Sequence, residues 1–195
     1  MRLLSIPFAM LLGGCQLLPP ILPTAATGAV DSLTTPLVQA REVEALRLEL
    51  ADFAFDYGDD QVEPVAIDLL VRINRWRQAQ GRPPLIASAR LMELAALRAK
   101  DMVANDYAGH IHPRRGTLEA ERLLKAAGVS GRVAELLVAG RADLGALAAM
   151  AADNWTQDGL NHALLLSLEH SYVGAGVMGD RQGTIAVLLL AASQP

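Results

Sequence analysis

Apolar and polar positions recur along this chain with two different periods, and the change of period marks its elements. From Val62 onward the apolar residues return every three to four positions. In "PVAIDLLVRINRWRQAQG", Val65, Leu69, Ile73 and Trp76 fall on one helical face. Pro64 suits the first turn of that helix and Gly81 its end. After the turn "RPPL", "SARLMELAALRAKDMVAND" repeats the pattern. Ser88 is placed to cap it, and Leu91, Leu94, Ala95 and Met102 form the stripe. "TLEAERLLKAAG" predicts a third helix, with Thr117 as cap, Glu119 in the first turn and Gly128 at the stop. "RVAELLVAG" (132–140) is short, apolar and bounded by glycine, which predicts a strand or extended segment. "DLGALAAMAADNWTQ" predicts a fourth helix capped by Asp143. "SYVGAGVMGD" and "GTIAVLLLAAS" predict an antiparallel hairpin across residues 179–183. Helices come first and strands last, so the expected class is α+β, with helices packed on an antiparallel sheet rather than a βαβ fold.

The first 36 residues follow neither period. "MRLLSIPFAMLLGGCQ" carries one cation, Arg2, and an apolar run from Leu3 to Leu12, too short for a permanent bilayer span and suited to a signal peptide. The run ends in Leu12-Gly13-Gly14-Cys15, which resembles the bacterial lipobox. That resemblance implies cleavage before Cys15 and acylation of its thiol and new amine. The alternative is an ordinary secretory signal with a chance cysteine. Cys15 is the only cysteine, so no intrachain disulfide forms. Acyl chains at ~0.8 kcal/mol per buried CH₂ would hold the protein on a membrane. Gln16, by resemblance to Gram-negative lipoproteins, favours the outer membrane facing the periplasm over the inner membrane. "QLLPPILPTAATGAVDSLTTP" reads as a Pro-stiffened tether. Residues 37–55 read as a short amphipathic segment, and 56–61 as an acidic turn. The expected division is residues 1–14 as signal, 15–61 as lipidated tether, and 62–195 as the folded domain.

Composition narrows the function classes. With 195 residues, the chain can bury one real core and carry an extension. The net charge of −4, without a long basic block, argues against a nucleic-acid partner. Aromatic residues make up only 4%, so Ala and Leu supply the apolar content and helix is favoured.

Four motifs then stand in a telling order. They are "INRWRQAQGRPPL" with Asn74, Arg77, Gly81, Pro84 and Leu85; "NDYAGHIH"; "VAELLVAG"; and "WTQDGLNHALLLSLEHSYVGAGV". Together, over roughly residues 65–192, they resemble the CAP superfamily (cysteine-rich secretory proteins, antigen 5, pathogenesis-related proteins) in its bacterial SCP-like branch. The resemblance implies a three-layer α-β-α sandwich with an open cleft, where two histidines and one or two acidic residues can hold a divalent metal. It places His110 at the first cavity histidine and Glu135 at the cavity glutamate. The second cavity histidine falls on Asn161, while His162 sits one place later, about 100° further round a helix. Leu136 stands where the family has Asn after the glutamate.

The residues themselves leave alternatives open. His110-x-His112 offers two imidazoles to zinc, but a zinc site needs three or four ligands. His110 either enters the cleft or holds the loop by a hydrogen bond. His112 is expected in solvent, as is the Arg114-Arg115 turn. Glu135, the lone charge of its strand, either activates a water with His110 or pins strand to loop. His162 and His170 are compatible with a shared helix face or with the surface. Trp76 and Trp155 are expected to fill core. Asp56, Asp59 and Asp60 lack the spacing of a calcium loop, and no Gly-x-Ser-x-Gly elbow is present. The expected role is therefore a lipid-anchored envelope binding module with a degenerate cleft formed from His110, Glu135, and Asn161 or His162. Its partner would be a lipid, a glycan or an envelope protein. The alternative is a metal-assisted hydrolase using zinc, which needs His110, Glu135 and His162 to converge.

Overall fold

The computed structural model describes residues 62–179 and 183–193. The signal segment, Cys15, the tether, the 37–55 segment and the acidic turn lie outside the described residues. Helix α1 spans Val62–Ala79, strand β1 Ile86–Ala87, α2 Ala89–Ala104, α3 Glu119–Ala126, β2 Val133–Gly140, α4 Leu144–Gln157, α5 Gly159–Leu166, β3 Tyr172–Gly179 and β4 Thr184–Ala191. Among the described residues, no helix is long and apolar enough to cross a membrane.

The helix ends follow from local chemistry. Ser88 caps α2 by accepting from the Leu91 N–H. Three helices end in the same way, with a residue of positive φ: Gly81 after α1, Asp106 after α2 and Gly128 after α3. In each, the next residue's N–H reaches back five positions, as Tyr107 does to the Met102 carbonyl, so orphan carbonyls are satisfied. Two expected caps differ. Leu118, not Thr117, is the α3 cap residue, because the Thr117 hydroxyl donates to Glu119 instead. Asp143 occupies the cap position of α4 without a side-chain bond.

The sheet runs β1-β3-β4-β2. β3 and β2 each pair with β4 antiparallel over eight residues in unbroken register. The expectation of a purely antiparallel sheet is corrected at one edge, where β1 pairs with β3 in parallel, Ile86 against Tyr172. The chain enters that edge in the direction of β3, with the Ile86 and Ser88 N–H groups bonded to Ser171 and Val173, before Ser88 turns it into α2.

β4 is buried throughout, and its pleat feeds two cores. Ala186, Leu188 and Leu190 join α1, α4 and α5 around Trp155. Ile185, Val187, Leu189 and Ala191 join α2 and α3 around Leu91, Met102 and Leu124. The result is the expected three-layer α-β-α sandwich. Gly174 and Gly176 set the distance between α2 and the sheet. A Cβ on either would lie 2.1 Å from the α2 backbone, at Leu91 and Ala95 respectively.

Candidate functional site

The candidate site lies on the α2/α3 side of the sheet, where the loop "NDYAGHIHPRRGT" folds back over β2. The left-handed Asp106 turns the chain out of α2, and Tyr107 packs against the core beneath α2. The loop then closes on itself. His112 and Thr117 pair through the backbone, Ile111 bridges Leu118, and the His110 carbonyl accepts the Glu119 N–H.

A chain of polar contacts ties this loop to β2. Arg98, on the buried stripe of α2, is wholly inside the protein. Its Nε donates to Glu135 Oε1 at 2.8 Å, one terminal nitrogen to the Tyr107 hydroxyl at 2.7 Å, and the other to the Gly109 carbonyl. Tyr107 passes the contact on by donating to Asp101. Burial, reinforced by the hydrogen bond to Asp101 and opposed by the Arg98 charge, pushes the Tyr107 phenol up to about 12. The second oxygen of Glu135 faces His110 Nδ1 at 2.7 Å. A carboxylate accepts, so Nδ1 donates, and Nε2 is left out of that bond. The Glu135 side chain is only 6% exposed, whereas that of His110 is 54% exposed. Beside this pair is a cleft of about 250 Å³, with Leu118, Ala120, Leu124 and Val133 among its lining residues and Glu121 at its side.

The structure thus joins His110 to Glu135, as the sequence implied, and leaves Asn161 and His162 apart from them. Asn161 serves α5, where Asp158 Oδ2 accepts from its backbone N–H and from its Nδ2. His162 faces α1, with its ring set edge-on to Trp76 at 5.1 Å and its Nδ1 donating to the Thr156 carbonyl. α1, α4 and α5 share the core on one face of the sheet, and Glu135 bonds Arg98 of α2 on the other, so the sheet stands between them. The implied divalent metal does not fit these residues. Among the described residues, no group of three or more His, Cys, Asp or Glu side chains is placed to hold an ion. Glu135 moreover spends one oxygen on Arg98.

Two further sequence expectations change. His112 is 2% exposed rather than solvated. Its Nδ1 accepts from the Arg114 and Arg115 N–H groups, and its ring lies against Tyr107. The Arg114-Arg115 turn is exposed as expected, and Arg115 in addition reaches Glu119 and Asp101. Glu119 is buried in the same knot. Burial alone would raise its pKa, but hydrogen bonds and charge from Arg122 and Arg115 outweigh that and hold it at about 2. His170 lies beyond α5 and is buried rather than on a helix face. Arg98 was missed altogether, although its position gave a signal. It continues the stripe Leu91, Leu94, Ala95, Met102, and a cation there calls for a buried carboxylate.

Known proteins carry the same frame. An outer surface protein from Borrelia burgdorferi superposes with a TM-score of 0.55 at 18% identity, over 65% of this chain and 90% of that one. A cysteine-rich secretory protein from Staphylococcus aureus gives 0.53 at 18% identity, over 69% of this chain and 40% of that one. An extracellular protein containing an SCP domain from Bacillus anthracis gives 0.52 at 20% identity, over 68% and 40%. This chain therefore spans well under half of the last two, and the likeness is one of fold. A comparison with curated proteins gives no match. The sequence model of the cysteine-rich secretory protein family, CAP, matches residues 70–190, a stretch that runs from α1 into β4 and contains the whole Arg98–Glu135–His110 chain; this protein belongs to that family.

Proposed function

We propose that this chain is a lipid-anchored CAP-domain protein of the bacterial cell envelope that binds a ligand or partner at the His110–Glu135 cleft rather than turning over a substrate. One observation carries the reading. The polar groups that hydrolysis would draw on are divided between the two faces of the sheet, with His110 and Glu135 on one and His162 against Trp76 on the other. The cleft keeps a single outward imidazole above an apolar lining, which is the chemistry of a binding site. Anchoring rests on Leu12-Gly13-Gly14-Cys15, and Gln16 directs the protein to the outer membrane facing the periplasm. Two relatives in fold, an outer surface protein and an extracellular protein, agree with a site beyond the cytoplasm.

Two measurements test this. Radiolabelled palmitate fed to expressing cells labels the wild-type protein in the outer-membrane fraction and leaves Cys15→Ser unlabelled. Equal labelling of both would remove the anchor. Calorimetric titration of zinc into the unacylated mature chain gives no heat that depends on His110 and His162 together. Zinc binding lost in both His110→Ala and His162→Ala would overturn the binding reading in favour of a metal-assisted hydrolase.

A further inference from the structure

We propose that the ligand of this cleft is an extended peptide segment of a partner protein, which adds as a strand to the outer edge of β2 and seats an aliphatic side chain in the cleft. The proposal rests on the binding reading above and names the ligand class for it.

β2 is a sheet edge, paired with β4 on one side and with no strand on the other among the described residues. The Ala192 N–H donates to the Arg132 carbonyl, in the pair that continues the β2–β4 register. Bonded and non-bonded pairs alternate in an antiparallel ladder. The even-numbered residues of β2 therefore bond β4, and Val133, Glu135, Leu137 and Ala139 direct their N–H and C=O groups outward. Exposed edges are ordinarily blunted by bulges, proline or lysine. β2 has none of these, as "VAELLVAG" pairs over eight residues without a bulge. Its one charge, Glu135, is held by Arg98 and His110.

The cleft lies along this edge. It touches Val133, Ala134 and Glu135, three successive residues whose side chains alternate between faces. A cavity lined by three in a row meets the strand along its backbone rim and not from one face alone. The opposite wall is α3, through Ala120 and Leu124, with its cap residue Leu118. A strand edge facing a helix across an apolar cleft is the arrangement that takes an added strand, with main-chain hydrogen bonds giving affinity and the cleft giving side-chain selection. Glu121 lines the cleft with no cation against it among the described residues, so a segment that carries a basic residue beside its aliphatic one complements the charge.

The test uses the mature chain with Cys15→Ser and fluorescein-labelled peptides that alternate threonine with leucine and lysine. Fluorescence anisotropy is expected to saturate below about 1 mM, and a peptide with aspartate in place of leucine to fail. N-methylation of alternate peptide amides in one register weakens binding at least about tenfold, while methylation in the other register leaves it unchanged, because only one set faces β2. Leu118→Glu, at a half-exposed position, gives a comparable loss without unfolding. Absence of saturation, equal tolerance of methylation in both registers, binding only after removal of residues 16–61, or occupation of the edge by a second copy would each overturn the proposal. It fails separately from the binding reading. Peptide failure leaves the zinc and lipid results standing, whereas zinc held by both histidines overturns both.

Discussion

The Arg98 Nε lies 2.8 Å from Glu135 Oε1, and neither side chain has appreciable contact with solvent. This pair joins α2 to β2 through the middle of one core, and Glu135 in turn holds the His110 ring. Removing one partner of a buried pair leaves an uncompensated charge and costs about 3–5 kcal/mol. Arg98→Ala should lose that much in urea unfolding, and the Arg98→Met, Glu135→Leu double variant should recover most of it. A single variant as stable as wild type would mean that the pair is not what joins helix to strand.

Gly176 makes a second prediction. A Cβ there meets the Ala95 carbonyl carbon at 2.1 Å, and backbone atoms cannot rotate away as a side chain can. Gly176→Ala should push α2 off the sheet at a cost of about 3 kcal/mol, the upper end for overpacking. Gly145→Ala, where nothing lies within 4 Å of the added carbon, is the control and should stay within about 0.5 kcal/mol of wild type.

These two sites also show what was legible in the sequence. Periodicity predicted the four main helices, β2 and the closing hairpin, because each buries one face of a regular element. It could not find β1, which is two residues long and defined only by its partner. It did not delimit α5 as a helix of its own, because "GLNHALLL" is apolar nearly all round yet buries only Leu165. Glu135 was found as a lone charge among apolar neighbours. Arg98 escapes a stripe defined by apolar positions alone. His112 sits in a polar loop and Glu119 in the first turn of α3, and both look solvated residue by residue. Their burial comes from the loop closing over α2, a tertiary event without a local pattern. The second cavity histidine could be argued to one turn of helix, but not to a face.

Glu119 predicts an acid transition. Its folded pKa of about 2 lies below its ordinary value of 4.5, so its stabilisation is complete above about pH 4.5 and is lost as pH falls toward 2. The full linkage is discounted to about 2 kcal/mol, because Arg115 and Arg122 are half exposed and screened. Chemical denaturation from pH 5 to pH 2.5 should show this extra loss in wild type but not in Glu119→Gln, which should start lower and fall less. Parallel curves would place the acid sensitivity elsewhere.

His170 governs a milder range. Burial, assisted by Arg132 and Arg77 and opposed by Glu169, lowers its pKa below 6.5. Between that folded value and 6.5 the unfolded chain takes up a proton that the folded chain refuses, so stability rises with pH. The contribution is present above pH 6.5 and is lost as pH falls to the folded pKa. Among the described residues its buried imidazole Nδ1 has no hydrogen-bond partner, so charging it in place is unfavourable. His170 also lies just before β3, where the Ser171 N–H bonds the Ala191 carbonyl, so its protonation acts directly on the β1–β3–β4 edge. Unfolding free energies measured from pH 8 to pH 5 should therefore decline in wild type below pH 6.5 and run flatter in His170→Gln. The two curves should separate at neutral pH and converge toward pH 5. A wild-type curve that rises on acidification would mean that His170 gains a partner when charged, and would reverse the sign argued here.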